Sequence, residues 1–195
     1  MSEKEREKWD ARYSDAAPPP SQPSADLVAL GPFFPPSGRA LDIAGGAGRH
    51  AVWLAERGFE TTLVDISPVG LDLAAKRAHA HGVHIHTHRA DLDTEPLPHG
   101  PWDLIVIFHF LLRPLFATFP QILAPNGILA VVHPTLQNLT RHPKPGADFV
   151  LREGELRTLV SDVHFDVLHS EEGWLAEGRH EARMVAKRKN SEPTI

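Results

Sequence analysis

Short apolar runs alternate with amphipathic stretches through the middle of the chain. Residues 39–44 (RALDIA), 60–66 (ETTLVDI) and 101–110 (PWDLIVIFHF) predict strands, and the last run is apolar on both faces, as in a central strand. Residues 83–91 (VHIHTHRAD) alternate strictly, which is typical of a half-exposed edge strand. Residues 47–57 space their apolar side chains as a helix does. This order predicts strands connected by helices.

The same alternation continues beyond the second strand. Residues 67–82 begin with Ser-Pro, a helix cap followed by a proline suited to the first helical position. We expect a helix near 111–123, interrupted early by Pro114, and then a fifth strand at 126–134 after an Asn-Gly turn. Residues 151–162 contain a further predicted helix.

The last part of the chain predicts a hairpin. Residues 163–174 and 179–189 are two strand-like runs joined by a glycine-containing turn, so they are antiparallel. Taken with the alternating strands and helices, they predict an α/β fold: a doubly wound, seven-stranded, mostly parallel sheet with an antiparallel C-terminal hairpin strand. We expect this domain to cover residues 38–188 and residues 189–195 to be a disordered tail.

The chain before the domain has a different character. Residues 2–13 are helix formers and place Trp9 and Tyr13 four positions apart, so that both rings lie on one side of a short helix. Residues 15–26 (DAAPPPSQPSAD) predict an extended proline-rich linker. We therefore expect residues 1–37 to be a lid helix with its linker.

Composition narrows the classes of protein that fit. The 195 residues predict one domain, and a net charge of −5 argues against a nucleic-acid partner. The absence of cysteine excludes disulfides, thiolate metal sites and a cysteine nucleophile. The start of the chain has no apolar signal region, and no apolar run approaches the length of a membrane span. We expect a cytoplasmic monomer or homodimer without a membrane partner.

Acidic side chains end three successive predicted strands. Asp42, Asp65 and Asp91 occupy these positions, and His109 lies at the end of the fourth strand. Because ligands of open α/β sheets bind beyond the carboxyl ends of the strands, these four side chains should converge on one crevice. Each acid alone is as well explained by a helix cap or a solvated turn, but their joint occurrence favours a binding site.

The loop after the first strand favours close contact between a ligand and the main chain. In LDIAGGAGRH (41–50), the glycines allow positive φ and close approach, and the following helix start offers free N–H groups to a phosphate or carboxylate. Asp65 is placed to accept both hydroxyls of a ribose. Asp91 can accept from an adenine amino group, with Ile66 and Leu92 packing on the purine. The expected ligand is an adenosine with a substituent at its 5′ end.

Two kinds of adenosine ligand remain open from these residues alone. GAGRHA (46–51) fits the G-x-G-x-x-A pattern of dinucleotide-binding proteins, which favours a nicotinamide-dependent oxidoreductase. Asp42 argues against it, because a carboxylate beside a pyrophosphate would repel it, whereas a cationic ligand would be attracted.

Five segments together resemble the class I S-adenosylmethionine (SAM) dependent methyltransferases. They are LDIAGGAGRHAVWLAERG, TLVDIS, RADL, WDLIVIFHF and LAPNGILAVVHP. EKWDARY and RHPKPGADFVLREGEL are similar to the small tellurite-resistance and thiopurine-type members, in which an N-terminal Trp/Tyr segment folds over the cofactor. One residue departs from the family pattern: Ala44 stands where these proteins usually have glycine, and alanine resists positive φ.

The resemblance implies SAM as the cofactor and methyl transfer to a small-molecule acceptor such as a thiol or a metalloid oxyanion. It implies a cofactor site built from the following residues: Asp42, Ala44, Gly45, Gly46, Gly48, Arg49, Asp65, Ile66, Asp91, Leu92, Phe108 and His109. For catalysis it suggests His109 as a base, Arg113 as an attractor of an anionic acceptor and Tyr13 as part of a water-excluding lid. The alternatives are an NAD(P)-dependent oxidoreductase and a SAM-binding regulator without turnover.

Several of these side chains also have ordinary structural explanations. His109 is equally explained as a pocket wall or a core histidine, Arg113 as a surface salt bridge and Tyr13 as a packing residue. A basic cluster could form a further acceptor site; it comprises Arg141, His142, Lys144, Arg179 and His180. His84, His86 and His88 share one strand face, yet blunting of an exposed edge explains them better than a metal site.

Overall fold

The computed structural model describes residues 3–15, 18–176 and 178–190 and contains one seven-stranded sheet in the order β3-β2-β1-β4-β5-β7-β6. β1 to β5 are parallel, and β7 lies antiparallel between β5 and β6. The strands are β1 Gly38–Ile43, β2 Phe59–Asp65, β3 His86–Arg89, β4 Trp102–Phe108, β5 Leu123–Pro134, β6 Phe165–Trp174 and β7 His180–Arg188. The predicted α/β architecture, with its C-terminal hairpin, is confirmed.

Helices pack on both faces of the sheet and bury its apolar side chains. They are α1 Glu3–Ser14, α2 Ala25–Leu30, α3 Arg49–Ala55, α4 Pro68–Ala80, α5 Phe119–Ile122 and α6 Glu155–Leu159. One apolar cluster joins α2 and α3 to the β1–β4–β5–β7 region, and another lies on the opposite face against α5 and α6. α4 begins as predicted, because the Ser67 hydroxyl accepts from the Gly70 N–H.

The predicted helix over 111–123 is wrong. The structure has a 3-10 helix at Arg113–Ala117 and then only the four residues of α5. Pro114 and Pro120 explain the difference, because each removes a main-chain donor and neither tolerates an interior position of a longer helix. The chain beyond β4 is therefore mostly irregular, and its first residues border the crevice.

β3 forms one edge of the sheet, as its alternating sequence predicted. It is shorter than the predicted strand, and all four of its residues are exposed. Within the part of the chain that the structure describes, no group of three His, Cys, Asp or Glu side chains could hold a metal ion. No helix in these described ranges is long and apolar enough to cross a membrane.

The fifth strand begins earlier than predicted. β5 starts at Leu123 rather than after the Asn-Gly pair, and Asn126 lies inside the strand with a φ of 63°. The predicted C-terminal tail falls largely on residues 191–195, which lie outside the described residues.

Candidate cofactor and acceptor sites

The glycine loop between β1 and α3 adopts a left-handed backbone at three positions. φ is 55° at Ala44, 55° at Gly46 and 75° at Gly48. Gly48 lies so close to α4 that a Cβ there would overlap the Cβ of Ala74. Ala44 accepts the same backbone conformation with a methyl group present, at a cost of about 1–2 kcal/mol for a left-handed L-residue. The expected conflict at Ala44 is thus present as backbone strain.

Asp42 lies at the end of β1 beneath this loop, with a relative exposure of 1%. Its Oδ2 is buried and has no hydrogen-bond partner among the described residues, and the positive charge that acts on the carboxylate is that of Arg49. Burial, together with the negative charge of Asp65, raises the pKa of Asp42 to about 7. A buried carboxylate with a free acceptor suits a ligand that brings a positive charge, as SAM does.

Asp65, at the end of β2, fastens the glycine loop to the start of α4. Its Oδ2 accepts from the Gly46 N–H at 2.9 Å, and its Oδ1 accepts from the Ser67 N–H at 2.9 Å. Burial raises the pKa of Asp65, although these two hydrogen bonds act in the opposite direction. An ionised carboxylate accepts about four hydrogen bonds, and the Ile66 N–H also acts on Asp65, so about one acceptor position is left for a ligand hydroxyl. The role as a loop fastener was not predicted from the sequence.

A cavity of about 200 Å³ lies where the purine was expected. Ile66 and Asp91 line one side of it, and Glu3 and Arg6 of α1 line another. Leu92 is buried just beyond. The predicted purine residues therefore converge, and α1 supplies a wall that no motif of the domain could indicate.

Tyr13 of α1 lies across the glycine loop. A Cβ at Gly46 would overlap the Tyr13 hydroxyl, and one at Gly70 would press on the Tyr13 ring. Burial, with the charge of Asp65 adding to it, raises the pKa of the Tyr13 phenol. The Asp10 carboxylate accepts from the Ser67 hydroxyl at 2.5 Å and holds α1 on the start of α4. These contacts place the predicted lid residue over the crevice.

Residues 18–26 contact three elements of the domain. The Pro19 carbonyl accepts from Arg77, and the Ser24 N–H donates to His50 Nε2 at 3.4 Å. Asp26 then pairs with Arg183 of β7 at 3.3 Å. These contacts hold this part of the chain against α4, α3 and β7, and the apolar side chains of α2 pack on one face of the sheet.

Phe108 ends β4 as a buried wall residue. Its ring makes an edge contact with His50 at a centroid distance of 4.8 Å. Burial lowers the pKa of His50 to about 3, so this imidazole is neutral. The predicted place of Phe108 in the pocket wall is compatible with this packing, and His50 is an additional wall residue.

His109 follows β4 with a left-handed backbone, φ 58°. Its Nε2 lies 3.0 Å from Oε1 of Glu181, a carboxylate of β7 that is only 1% exposed. Arg179 approaches the same Glu181 oxygen at 3.7 Å. Sequence reasoning missed Glu181, which is 72 residues away; its one signal was a carboxylate in a predicted strand, next to positions that are buried.

Arg113 does not face an acceptor, so its suggested catalytic role does not fit its contacts. Its Nε and Nη2 bind the two oxygens of Glu155 at 2.6 and 2.9 Å. Further N–H groups donate to the carbonyls of Asp148 and Val150. Four of its five donors are thus used inside the protein. Arg113 holds the segment before α6 against the chain beyond β4, which is the salt-bridge explanation.

Four members of the predicted basic cluster, Arg141, His142, Arg179 and His180, make contacts beside the exit of β5, whereas Lys144 makes no contact with them within the described residues. The Arg141 guanidinium lies 3.7 Å from the ring centroid of Trp174, and His180 binds Thr135 at 2.7 Å. His142 Nε2 lies 2.8 Å from the Gly178 carbonyl oxygen. The cluster therefore borders the His109 end of the crevice with part of its polar groups already engaged.

Comparison with known proteins agrees with this geometry. Residues 40–127 match the family model described as "Methyltransferase domain". This part of the chain is therefore similar to methyltransferase domains. SAM is the cofactor that this domain and its fold imply.

One curated relative is the tRNA 5-carboxymethoxyuridine methyltransferase of Escherichia coli, 30% identical over 165 residues. The match covers 75% of this chain but only 63% of that methyltransferase's length. TehB from Haemophilus influenzae is similar in structure, with a TM-score of 0.71 and 20% identity over 94% of this chain and 67% of that one.

A SAM-dependent methyltransferase from Mesorhizobium loti has a TM-score of 0.69 at 22% identity, covering 85% of this chain and 98% of that one. At such identities the two structures show a common fold. The methyltransferase domain itself leaves the acceptor open.

Proposed function

We propose that this protein is a SAM-dependent methyltransferase that acts on a small-molecule acceptor. The observation that carries the proposal is the crevice at the ends of β1 and β2. There the unpartnered Oδ2 of Asp42, the bare glycine loop and the cavity beside Ile66 lie together. A cationic adenosine ligand uses all three features, whereas a dinucleotide pyrophosphate would meet the buried Asp42.

Different residues of the crevice would bind different parts of SAM. The loop from Ala44 to Arg49 would hold the methionyl part, with Asp42 beneath its positive charge. Asp65 would accept from a ribose hydroxyl, and Ile66 and Asp91 would hold the purine in the 200 Å³ cavity. SAM supplies an activated methyl group when bound. The protein's part is to position the acceptor and exclude water, for which Tyr13 and α1 are suitably placed.

Calorimetry with SAM, its demethylated product and NAD tests the cofactor. We expect binding of the first two and none of NAD. Asp65→Ala removes the ribose acceptor and should weaken SAM binding by about 1.5–3 kcal/mol through lost charged hydrogen bonds. Asp65→Asn keeps the size of the side chain but turns its NH2 group toward either the Gly46 or the Ser67 N–H, so the urea midpoint of both variants is measured to separate loss of the ribose acceptor from loop damage.

Asp72→Ala is the matched control, because Asp72 carries the same charge on the exposed side of neighbouring α4, where it pairs with Lys76. SAM affinity unchanged in both Asp65 variants would remove the ribose assignment. Tight NAD binding would favour the oxidoreductase alternative.

The small size of the acceptor is supported by how α1 covers part of the crevice. The Tyr13 hydroxyl lies against Gly46, and Glu3 and Arg6 line the cavity beside Ile66. The net charge of −5 also disfavours a polyanionic partner. Turnover on a panel of thiols, phenols, selenite and tellurite tests this acceptor class. If SAM binds but none of these acceptors is methylated, the regulator alternative is favoured.

A tRNA nucleoside is a second candidate acceptor. The 30% identity to a tRNA methyltransferase favours it, as does the Arg141–Trp174 pair beside the crevice, since guanidinium and aromatic groups both stack on bases. Methyl transfer from labelled SAM to bulk tRNA, compared with the small-molecule panel, decides between the two. Incorporation into tRNA that Arg141→Ala abolishes would displace the small-molecule proposal.

A further inference from the structure

The His109–Glu181 pair has features that pocket packing alone does not require. His109 keeps a left-handed backbone although it is not glycine, and non-glycine residues in this conformation persist only where surrounding contacts hold them. Two contacts do so here: the His109 N–H donates to the Val132 carbonyl at 2.9 Å, and Nε2 reaches Glu181. The side chain remains 28% exposed at the crevice mouth.

The contact with Glu181 fixes which imidazole nitrogen carries the proton. Burial raises the pKa of Glu181, but the hydrogen bond and charge of His109, with Arg179, outweigh it and leave the pKa lowered. An ionised carboxylate can only accept, so the hydrogen between the two side chains belongs to Nε2. Neutral His109 then has its lone pair on Nδ1, for which no hydrogen bond occurs within the described residues.

Three other titratable or charged side chains lie near this pair: Arg179, His133 and His50. Arg179 faces Glu181 from the same strand at 3.7 Å. His133 of β5 donates from Nε2 to the Phe149 carbonyl at 2.8 Å, and burial lowers its pKa to about 4, so that it is neutral. His50 of α3 is also neutral for the same reason. Glu181 is therefore the carboxylate that can stabilise a protonated His109.

We propose that His109 Nδ1 is the general base of this methyltransferase, that Glu181 is its positioning residue, and that the acceptor is therefore one that loses a proton on methylation, such as a thiol or a phenol. This inference rests on the proposed function. As the bond between the acceptor atom and the methyl carbon forms, the acceptor proton passes to Nδ1. The carbon–sulfur bond breaks with its electron pair left on sulfur. Glu181 stabilises the imidazolium, which then releases the proton to water.

The protein without ligand tests the geometry first. A long-range proton–nitrogen NMR spectrum at mildly alkaline pH should show His109 as a single tautomer protonated at Nε2, with His109→Gln identifying its signals. Glu181→Leu should convert it to a mixture of tautomers, whereas Glu171→Gln, on neighbouring β6 and bound to Arg183, should not. A wild-type His109 protonated at Nδ1, or tautomers unaffected by Glu181→Leu, overturns the inference.

Acceptor chemistry provides the second test. His109→Gln should lower kcat for protonated acceptors by about 100-fold or more, the usual range for loss of a general base, with KM nearly unchanged. Glu181→Gln should lower kcat by about 10-fold, and Glu181→Asp should restore part of it. Selenite and tellurite need no base, so their turnover should stay within about twofold in all variants.

Equal loss on both acceptor classes contradicts the inference. Calorimetry with SAM on the same variants distinguishes failure of the base assignment from failure of the proposed function. Normal SAM binding, with a His109 tautomer that Glu181→Leu does not change, contradicts only the base assignment. Absence of SAM binding in the wild type contradicts the proposed function.

Discussion

The two halves of the crevice are built in different ways. In the cofactor half, the contacts between the ends of β1 and β2 span at most 19 residues, as the Asp65 bonds to Gly46 and Ser67 do, and α1 is added from outside the domain. In the acceptor half, His109 meets Glu181 across 72 residues. The strand ends of the first half therefore form a local motif, whereas the pair in the second half depends on the order of the strands.

The two halves should therefore respond differently to substitutions. The cofactor half depends on main-chain proximity, so an added methyl group should disturb it more than the loss of a distant contact. The acceptor half depends on paired charges from different elements, so loss of one partner should loosen it while the cofactor loop stays formed. The following substitutions test this contrast in order of decreasing expected effect.

Gly48→Ala should break the cofactor half. The new alanine would have a φ of 75°, and its methyl group would overlap the Cβ of Ala74 on α4. Left-handed strain and overpacking together should lower the free energy of unfolding by about 2–4 kcal/mol. Gly58→Ala is the matched control, since Gly58 has a φ of 87° with nothing within 4 Å, and should lose only about 1 kcal/mol. Equal losses in urea denaturation would show that loop–helix proximity is unimportant.

Asp42→Asn should raise the free energy of unfolding at alkaline pH, because it removes a buried negative charge from the cofactor half. Because burial raises the pKa of Asp42 from 3.8 to about 7, its stabilising contribution is fully present below pH 3.8 and is lost as pH rises through 7. The neutral variant should therefore unfold with a free energy about 1–3 kcal/mol higher than the wild type at about pH 8, and this gain should shrink at about pH 5. A pH-independent difference in urea midpoints would contradict the buried charge.

Arg113→Met should loosen the acceptor half alone. It removes the paired hydrogen bonds to Glu155 and those to two carbonyls, although Arg113 is 37% exposed and solvent screens part of the effect. We expect a loss of about 1–2 kcal/mol in unfolding free energy. SAM affinity, measured by calorimetry, should remain at the wild-type value. A large loss of affinity would mean that the two halves are coupled.

Ala44→Gly should produce the smallest change. Glycine removes the left-handed strain, which raises the free energy of unfolding by about 1–2 kcal/mol. It also makes the unfolded chain more flexible, which lowers that free energy by about 0.4–1 kcal/mol. A net stabilisation of about 0.5–1 kcal/mol should follow, with the melting temperature as the measurement. Destabilisation instead would show that the alanine methyl group makes a compensating contact.

The sequence predicted most of the cofactor half because its signals are local. Asp42, the glycines and Asp65 stand at strand ends that hydrophobic pattern alone reveals, and the parallel order of strands brings them together. The helix over 111–123 failed because apolar spacing was given more weight than Pro114. Arg113 was interpreted as an attractor of substrate because its four internal acceptors come from a segment with no visible relation to it.

The sequence by itself determined the α/β class, the crevice and the residues that end its first strands, because strand periodicity and turn chemistry act over a few residues. Only the tertiary structure decided that α1 walls the purine cavity, that Glu181 meets His109 and that Arg113 is used internally. These depend on which strands become neighbours, here β7 beside β5, and a pairing between distant segments leaves no pattern in either segment alone.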